Sequence, residues 1–374
     1  MISVNKSLGN FSVSFTPQYY KTAYNAYAVG NYKYLIALFD RAENHSFVTG
    51  CMTARNAGFK RNWDIIAASE SPQDVAVKDF VYSVLSQLNM RDLFEYVVEA
   101  RHKKYSVVGL EWDVVKGKQI ITSFKKYDQK YFRYDDKGIL GIDWGMKILP
   151  FEEDSAFIIE TEQKPLFLKI LKDFIRLEFG EEAFDAFIEN FGEPIIEVEY
   201  PAGDSSLKKE AESAANSIGR STRIAKPSGT NLTIHETNSS TGNHESHNGG
   251  CEKNISFTLL GHQNAAGNSK AFQVGDDATP LKVSEKIAVD DMYFIEEKIK
   301  QLIFMLVKRN FPVVNLPAIS IDKSSTVDSA TKLRAAELGL ANGAQIEASF
   351  LQEFGIPIVN PDVPLKRNEN SIFQ

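Results

Sequence analysis

From Thr279 to Arg309 one helical pattern runs for 31 residues without a break. Val283, Ile287, Val289, Met292, Phe294, Ile295, Ile299, Leu302, Ile303 and Leu306 make it apolar around more than half its circumference. Thr279 is a hydroxyl N-cap, Pro280 suits a first turn, and Asn310-Phe311-Pro312 closes the pattern. At 1.5 Å per residue the helix is roughly 45 Å long. A helix so long and so apolar has to be enclosed, in a large core or between subunits. The residues before it read differently. Ile255–Gly261 is apolar, His262–Lys270 is polar, and Phe272–Asp277 leads into the helix. This is a polar loop slung between two helices, with no catalytic residue set beside it.

A chain of 374 residues is long enough for two or three domains. Its net charge of −7 argues against a grip on nucleic acid through a broad basic face. Residues 151–200 hold fourteen acids against four bases, net −10. Such a run is a solvated face or a surface that repels phosphate. Cys51 and Cys251, the only thiols, suit a reducing compartment. Met1–Lys6 lacks the apolar core of a secretory signal. The apolar run Leu302–Val307 is far short of the ~18 residues that cross a bilayer, so a soluble protein is expected.

Along the chain, tyrosines cluster between Tyr19 and Tyr34, and Phe39–Arg55 has helical spacing. Phe59–Ile66 alternates like a strand, Ser71-Pro72 starts a helix that continues through Val75–Leu88, and Met90–Lys104 is another. Val107–Val115, Gln119–Phe124 and Tyr131–Gly138 are β-type, so residues 1–160 read as one α+β domain. From Pro165 to Phe191 apolar residues recur at three- and four-residue steps, opposite a face bearing Glu178, Glu181, Glu182, Asp185 and Glu189. Ile195–Tyr200 is a strand, Ser205–Ser217 a helix, and strands start at Ile224 and Leu232. Residues 237–250 are polar, of low complexity, and read as mobile. Two helices, Asp328–Leu340 and Gln345–Glu353, precede the C-terminal tail.

Candidate chemistry is sparse. Gly261–Lys270 has two glycines and a lysine, but the spacing of a phosphate-binding loop fails. His244, His247 and Cys251 fall at i, i+3 and i+7, with His235 and His262 near in sequence. On a helix these three could hold zinc, but Gly249 and Gly250 weaken a helix there. No Gly-x-Ser-x-Gly elbow occurs. No cofactor is expected. The enzyme alternative is a metal- or nucleotide-binding protein centred on residues 235–270.

Several segments, taken in order, resemble the portal proteins of Mu-like tailed bacteriophages. They are Thr53-Ala-Arg55, Trp63-Asp-Ile65, Tyr105–Trp112, Phe187–Pro194, Ile255–Gln263, Val289-Asp290-Asp291, Asn310-Phe-Pro312, Leu338-Gly-Leu340 and Phe354–Pro357. The resemblance implies the α+β portal fold. That means a wing (1–160), a first stem helix (161–192), a small α/β clip (193–243), a second stem helix (244–261), a tunnel loop (262–278), a long helix returning to the wing (279–320) and a crown-like helical region with its tail (321–374). It implies a non-enzymatic, homo-oligomeric ring, usually of twelve subunits, at a capsid vertex in the virion, present in the host cytoplasm before assembly. Double-stranded DNA slides through such a ring during packaging and ejection. The terminase large subunit, a head–tail adaptor and the major capsid protein are the implied partners. Gln263, Asn264, Asn268, Ser269 and Lys270 would meet DNA from the tunnel loop. Glu178, Glu181, Glu182, Asp185 and Glu189 would line the channel, and the long helix would be buried between neighbouring subunits.

Overall fold

The computed structural model describes residues 2, 17–191, 196–201, 203–217, 223–228, 241–263, 278–312 and 315–324. Three helices open the chain: α1 (Pro17–Ala28), α2 (Lys33–Asn44) and α3 (Ser46–Phe59). The periodicity of Phe39–Arg55 suggests one helix. Instead His45 adopts extended backbone (ψ 131°) and splits it into α2 and α3. Strand β1 (Trp63–Ile66) follows, then α4 (Pro72–Leu85). The start of α4 is set as the sequence predicts: the Ser71 hydroxyl accepts the Asp74 N–H at 3.1 Å, with Pro72 in the first turn. Helix α5 (Met90–Lys103) leads into a hairpin of β2 (Tyr105–Val115) and β3 (Lys118–Tyr127). Its two-residue turn places Lys116 (φ 50°) and Gly117 (φ 75°) in the left-handed region, the geometry that matches strand twist.

The short strands β4 (Phe132–Tyr134), β5 (Leu140–Asp143) and β6 (Ile148–Leu149) form an antiparallel meander, and β7 (Ala156–Glu160) returns to pair with β2. Then comes α6 (Leu166–Phe191), a single 26-residue helix. Strand β8 (Ile196–Tyr200), α7 (Ser205–Ser217) and β9 (Arg223–Pro227) make a small parallel crossover unit. Helices α8 (Thr241–Leu260) and α9 (Ala278–Lys308) follow, and β10 (Ala318–Ile321) pairs antiparallel with β1.

Two expectations are corrected here. The stretch 237–250, read as mobile, is helical from Thr241 onward, and α8 runs through Gly249 and Gly250. Each glycine costs a helix roughly 1 kcal/mol, but burial of Cys251, Ile255, Leu259 and Leu260 anchors the helix and outweighs it. The long helix, expected to be enclosed between subunits, is buried inside its own chain. Met292, Ile295, Ile299, Leu302, Ile303 and Leu306 of α9 are at most 1% exposed. Six such side chains contribute on the order of 10 kcal/mol of gross hydrophobic stabilisation. They share one core with Val77 and Val81 of α4, Leu93 and Val97 of α5, Val108 of β2 and Ile319 of β10.

A second core joins α2 and α3 to α6 and α8 through Leu35, Phe39, Val48, Phe167, Phe174 and Ile255. A third, around Tyr105, Phe132 and Leu140, underlies the meander. The strand expected at Leu232–His235 and the two C-terminal helices lie outside the described residues.

Candidate functional site

Helices α6 and α8 form an antiparallel hairpin. Asn254 Nδ2 donates to Asp173 Oδ1 at 3.4 Å, and seven residues further along α6, Gly180 lies against His247 and Asn248. A Cβ on Gly180 would collide with the Asn248 side chain, so this glycine lets the two helices approach closely. One side of the hairpin rests on α2 and α3. There Arg41 Nε donates to Glu178 Oε2 at 2.8 Å, and His45 Nε2 lies 3.2 Å from Glu181 Oε2. Burial, helped by the nearby Glu181 carboxylate, holds the Glu252 carboxyl above its usual range.

Where α8 ends, the chain is fastened to α9. Gly261 takes the left-handed conformation (φ 77°) that terminates a helix, and its N–H donates to Phe257 O at 2.9 Å. Its backbone presses on Val283 and Ile287 of α9. Ser256 Oγ donates to His262 O at 2.6 Å and Ser284 Oγ to Leu260 O at 3.2 Å. The chain beyond Gln263 therefore leaves from a fixed point, and α9 begins at Ala278, less than two turns before Val283.

Behind this point lies a buried ionic clamp. Arg55 of α3 donates to both oxygens of Asp291 on α9, through Nε to Oδ2 at 2.8 Å and Nη2 to Oδ1 at 3.0 Å. Its Nη1 donates to Leu259 O, in the last turn of α8, at 2.7 Å. Arg101 of α5 adds Nη1 to Asp291 Oδ1 at 2.7 Å and Nη2 to Asp290 Oδ2 at 2.5 Å. The Arg55 and Asp291 side chains are 5% and 0% exposed, so the pair is shielded from solvent and salt. One guanidinium thus ties α3, the end of α8 and the long helix α9. Next to it, burial first, and then the charges of Arg55, Arg101 and Lys103, hold the His102 imidazole well below its ordinary pKa and therefore neutral. Lys103 is also buried. Burial lowers its pKa, but Glu99, Asp40 and Glu43 outweigh that and keep it charged.

Of the five acids expected to line a channel, Glu178 and Glu181 are engaged with Arg41 and His45 within the chain. Glu182 and Asp185 are exposed, and Glu189 sits in the last two turns of α6. Gln263 is exposed at the root of the loop; Asn264, Asn268, Ser269 and Lys270 lie outside the described residues. Cys251 is turned into the core, where burial raises its thiol pKa, whereas His247 is exposed, and His244 lies on the first turn of α8. Among the described residues no three His, Cys, Asp or Glu side chains are placed to hold a metal. Among them, too, no helix is long and apolar enough to cross a membrane.

The clamp escaped the sequence reading because its members lie far apart, with Asp291 236 positions after Arg55. Both residues nevertheless fall in segments that carry the portal resemblance. So does Asn310, whose Oδ1 accepts the Gln119 N–H at 2.8 Å while Nδ2 donates to Gln119 O at 2.7 Å. So does Trp112, which donates to Asp154 O at 2.8 Å and lies under the Arg309 guanidinium, 4.4 Å from its ring centre.

A wing of helices and sheet, a helical hairpin, a small β-α-β unit between its arms and a long helix returning to the wing define the fold of phage portal and neck proteins. A neck chain of an empty GTA particle, solved with C6 symmetry, shares it with a TM-score of 0.56 at 10% identity; 84% of this chain and 91% of that one are covered. An HK97-family phage portal protein from Corynebacterium diphtheriae aligns with a TM-score of 0.45 at 10% identity, over 79% of this chain and 96% of that one. No curated protein matches the sequence. The family model described as portal protein of Mu bacteriophage matches residues 36–356, and the chain belongs to that family.

Proposed function

We propose that this chain is the subunit of a ring, of about twelve copies, at one vertex of a phage capsid. The ring is the passage for double-stranded DNA during packaging and ejection. On this reading the protein is structural; the terminase large subunit supplies the ATPase, and a head–tail adaptor and the major capsid protein are its other partners. The observation that carries the proposal is the family match over residues 36–356, joined to a loop rooted between α8 and α9 at a buried clamp. A segment whose two ends are fastened at α8 and α9 is suited to reach into a channel without disturbing the wing. Its polar residues Asn264, Asn268, Ser269 and Lys270 would touch the DNA backbone without reading bases. Of the acidic set, Glu182 and Asp185 are exposed, whereas Glu178 and Glu181 are engaged within the chain.

The test is deletion of residues 264–270, with light scattering and negative-stain imaging of the purified protein beside a packaging assay. Rings of normal size with impaired packaging or DNA retention are expected. Normal packaging by the deleted protein would remove the loop from the mechanism. A wild-type chain that forms no ring, alone or with capsid components, would remove the portal reading itself.

A further inference from the structure

The side of the α6–α8 hairpin turned away from α2 and α3 bears charge that the rest of the chain does not answer. Lys169, Lys172 and Arg176 follow one another at three- and four-residue steps and form one exposed stripe on α6. Lys253, next in sequence to the Asn254 that bonds Asp173, is exposed on α8. Among the described residues none of the four has a hydrogen bond or an ion pair. Asp173, held by Asn254, is the acid next to them, so four cations less one anion leave +3.

An ordinary solvated helix face mixes both signs. The exposed stripe of α9 does so, with Lys286, Asp290, Glu297 and Lys300 in succession. The first half of α6 instead sorts its charge. Its cations face out, and the acids that follow them, Glu178 and Glu181, turn in toward Arg41 and His45. This happens in a segment whose overall balance is −10.

We propose that this cationic face is a contact surface for the DNA phosphate backbone, an inference that rests on the portal reading. Rows of phosphate match it. Duplex DNA carries one charge per ~1.7 Å of axis, or ~3.4 Å along each strand. Lys169 to Arg176 spans about 10.5 Å of helix, close to three phosphate steps of one strand. Contacts of this kind hold the duplex without reading sequence. The exposed acids that follow, Glu182 and Asp185, point about 120° and 180° away from Arg176 round the helix, so they do not interrupt the stripe.

The test replaces Lys169, Lys172, Arg176 and Lys253 together by Gln. A control replaces Lys116, Lys137 and Lys147, exposed on the β-hairpin and the meander. Affinity for a 30-base-pair duplex is titrated by fluorescence anisotropy from 50 to 200 mM salt, on whatever assembly each protein forms, with imaging in parallel. Loss of four phosphate contacts predicts a log–log salt slope shallower by about 3.6, so wild-type binding weakens roughly 150-fold more than the variant's over that range. The control should match wild type. Equal slopes for the quadruple variant and wild type would overturn the proposal. So would rings formed by wild type and control but not by the quadruple variant. That outcome would make the face, with its exposed Phe179 and Phe257, a contact between copies. Absence of rings in wild type would count against the portal reading, and the slopes would still decide this one.

Discussion

Asp291→Asn should be among the most damaging single substitutions in the described chain. The change is nearly isosteric, but it removes the one carboxylate that both Arg55 and Arg101 engage. Arg55 would then lie 5% exposed with no counter-charge, hydrogen-bonded only to Leu259 O and a neutral amide. Breaking one member of a buried pair in this way costs about 3–5 kcal/mol. The neighbouring Asp290→Asn is the built-in control, since its side chain is 66% exposed and pairs with Arg101 alone; exposed pairs are worth about 0–1 kcal/mol. If all 374 residues melted together, 3–5 kcal/mol would lower Tm by about 4–6 °C. Unfolding confined to the core around α9 would give a larger shift. Thermal melts by circular dichroism on the two variants supply the comparison. The apolar double variant Arg55→Met/Asp291→Leu should recover most of the loss, because it leaves neither charge buried. Equal melting points for Asp291→Asn and Asp290→Asn would refute the argument, showing that water or local rearrangement neutralises the clamp.

Two further outcomes follow from the same region. His102 is held neutral by burial and by the cations around it, and its folded pKa lies below the unfolded value of about 6.5. The unfolded chain therefore takes up a proton that the folded one refuses. Stability from this site is complete above pH 6.5 and falls by up to ~1.4 kcal/mol per unit as the pH drops below it, until the folded pKa is reached. His102→Gln should flatten that part of a urea midpoint–pH profile, and an unchanged profile would contradict it. Gly261→Ala puts a Cβ at a φ of 77°, within 2.8 Å of Ile287 Cδ1. About 1–2 kcal/mol of backbone strain is expected, with faster amide exchange at the end of α8; unaltered exchange there would count against the fastening of α8 on α9.

How much of this was legible in the sequence depended on whether the signal was local. Helix α4 was readable at its start because Ser71, Pro72 and Asp74 carry their capping chemistry in adjacent residues. Helix α7 was readable at both ends, Ser205 and Ser217. The first half of α8 was not legible from its own residues, since Gly, Asn, His and Ser give no apolar period and its helicity is imposed by packing along α6; only the family resemblance implied a helix from residue 244. Strand β7 was missed because Ala156–Ile159 is a short apolar run with no alternation to distinguish it. The long helix was recognised, but its burial was assigned to neighbouring copies because the partners that cover it, from Val77 to Ile319, are scattered along the chain. The candidate site divided in the same way. The polar composition between α8 and α9 was visible in the sequence, whereas the inward turn of Glu178 and Glu181 depends on where α2 and α3 lie.

The amide of Asn310 has a meaning beyond capping α9. Strand β3 is an outer strand of its sheet, and its free edge is the kind of surface onto which another chain's strand can add. At Gln119 the Asn310 side chain takes both the N–H and the C=O, imitating one rung of a missing strand with a single residue. If the proposed ring forms, each copy meets many others at high local concentration and gains from having that docking position already occupied. The plug leaves recognition between copies to side-chain surfaces, whose geometry is specific, and withholds it from a backbone edge that would accept any extended partner.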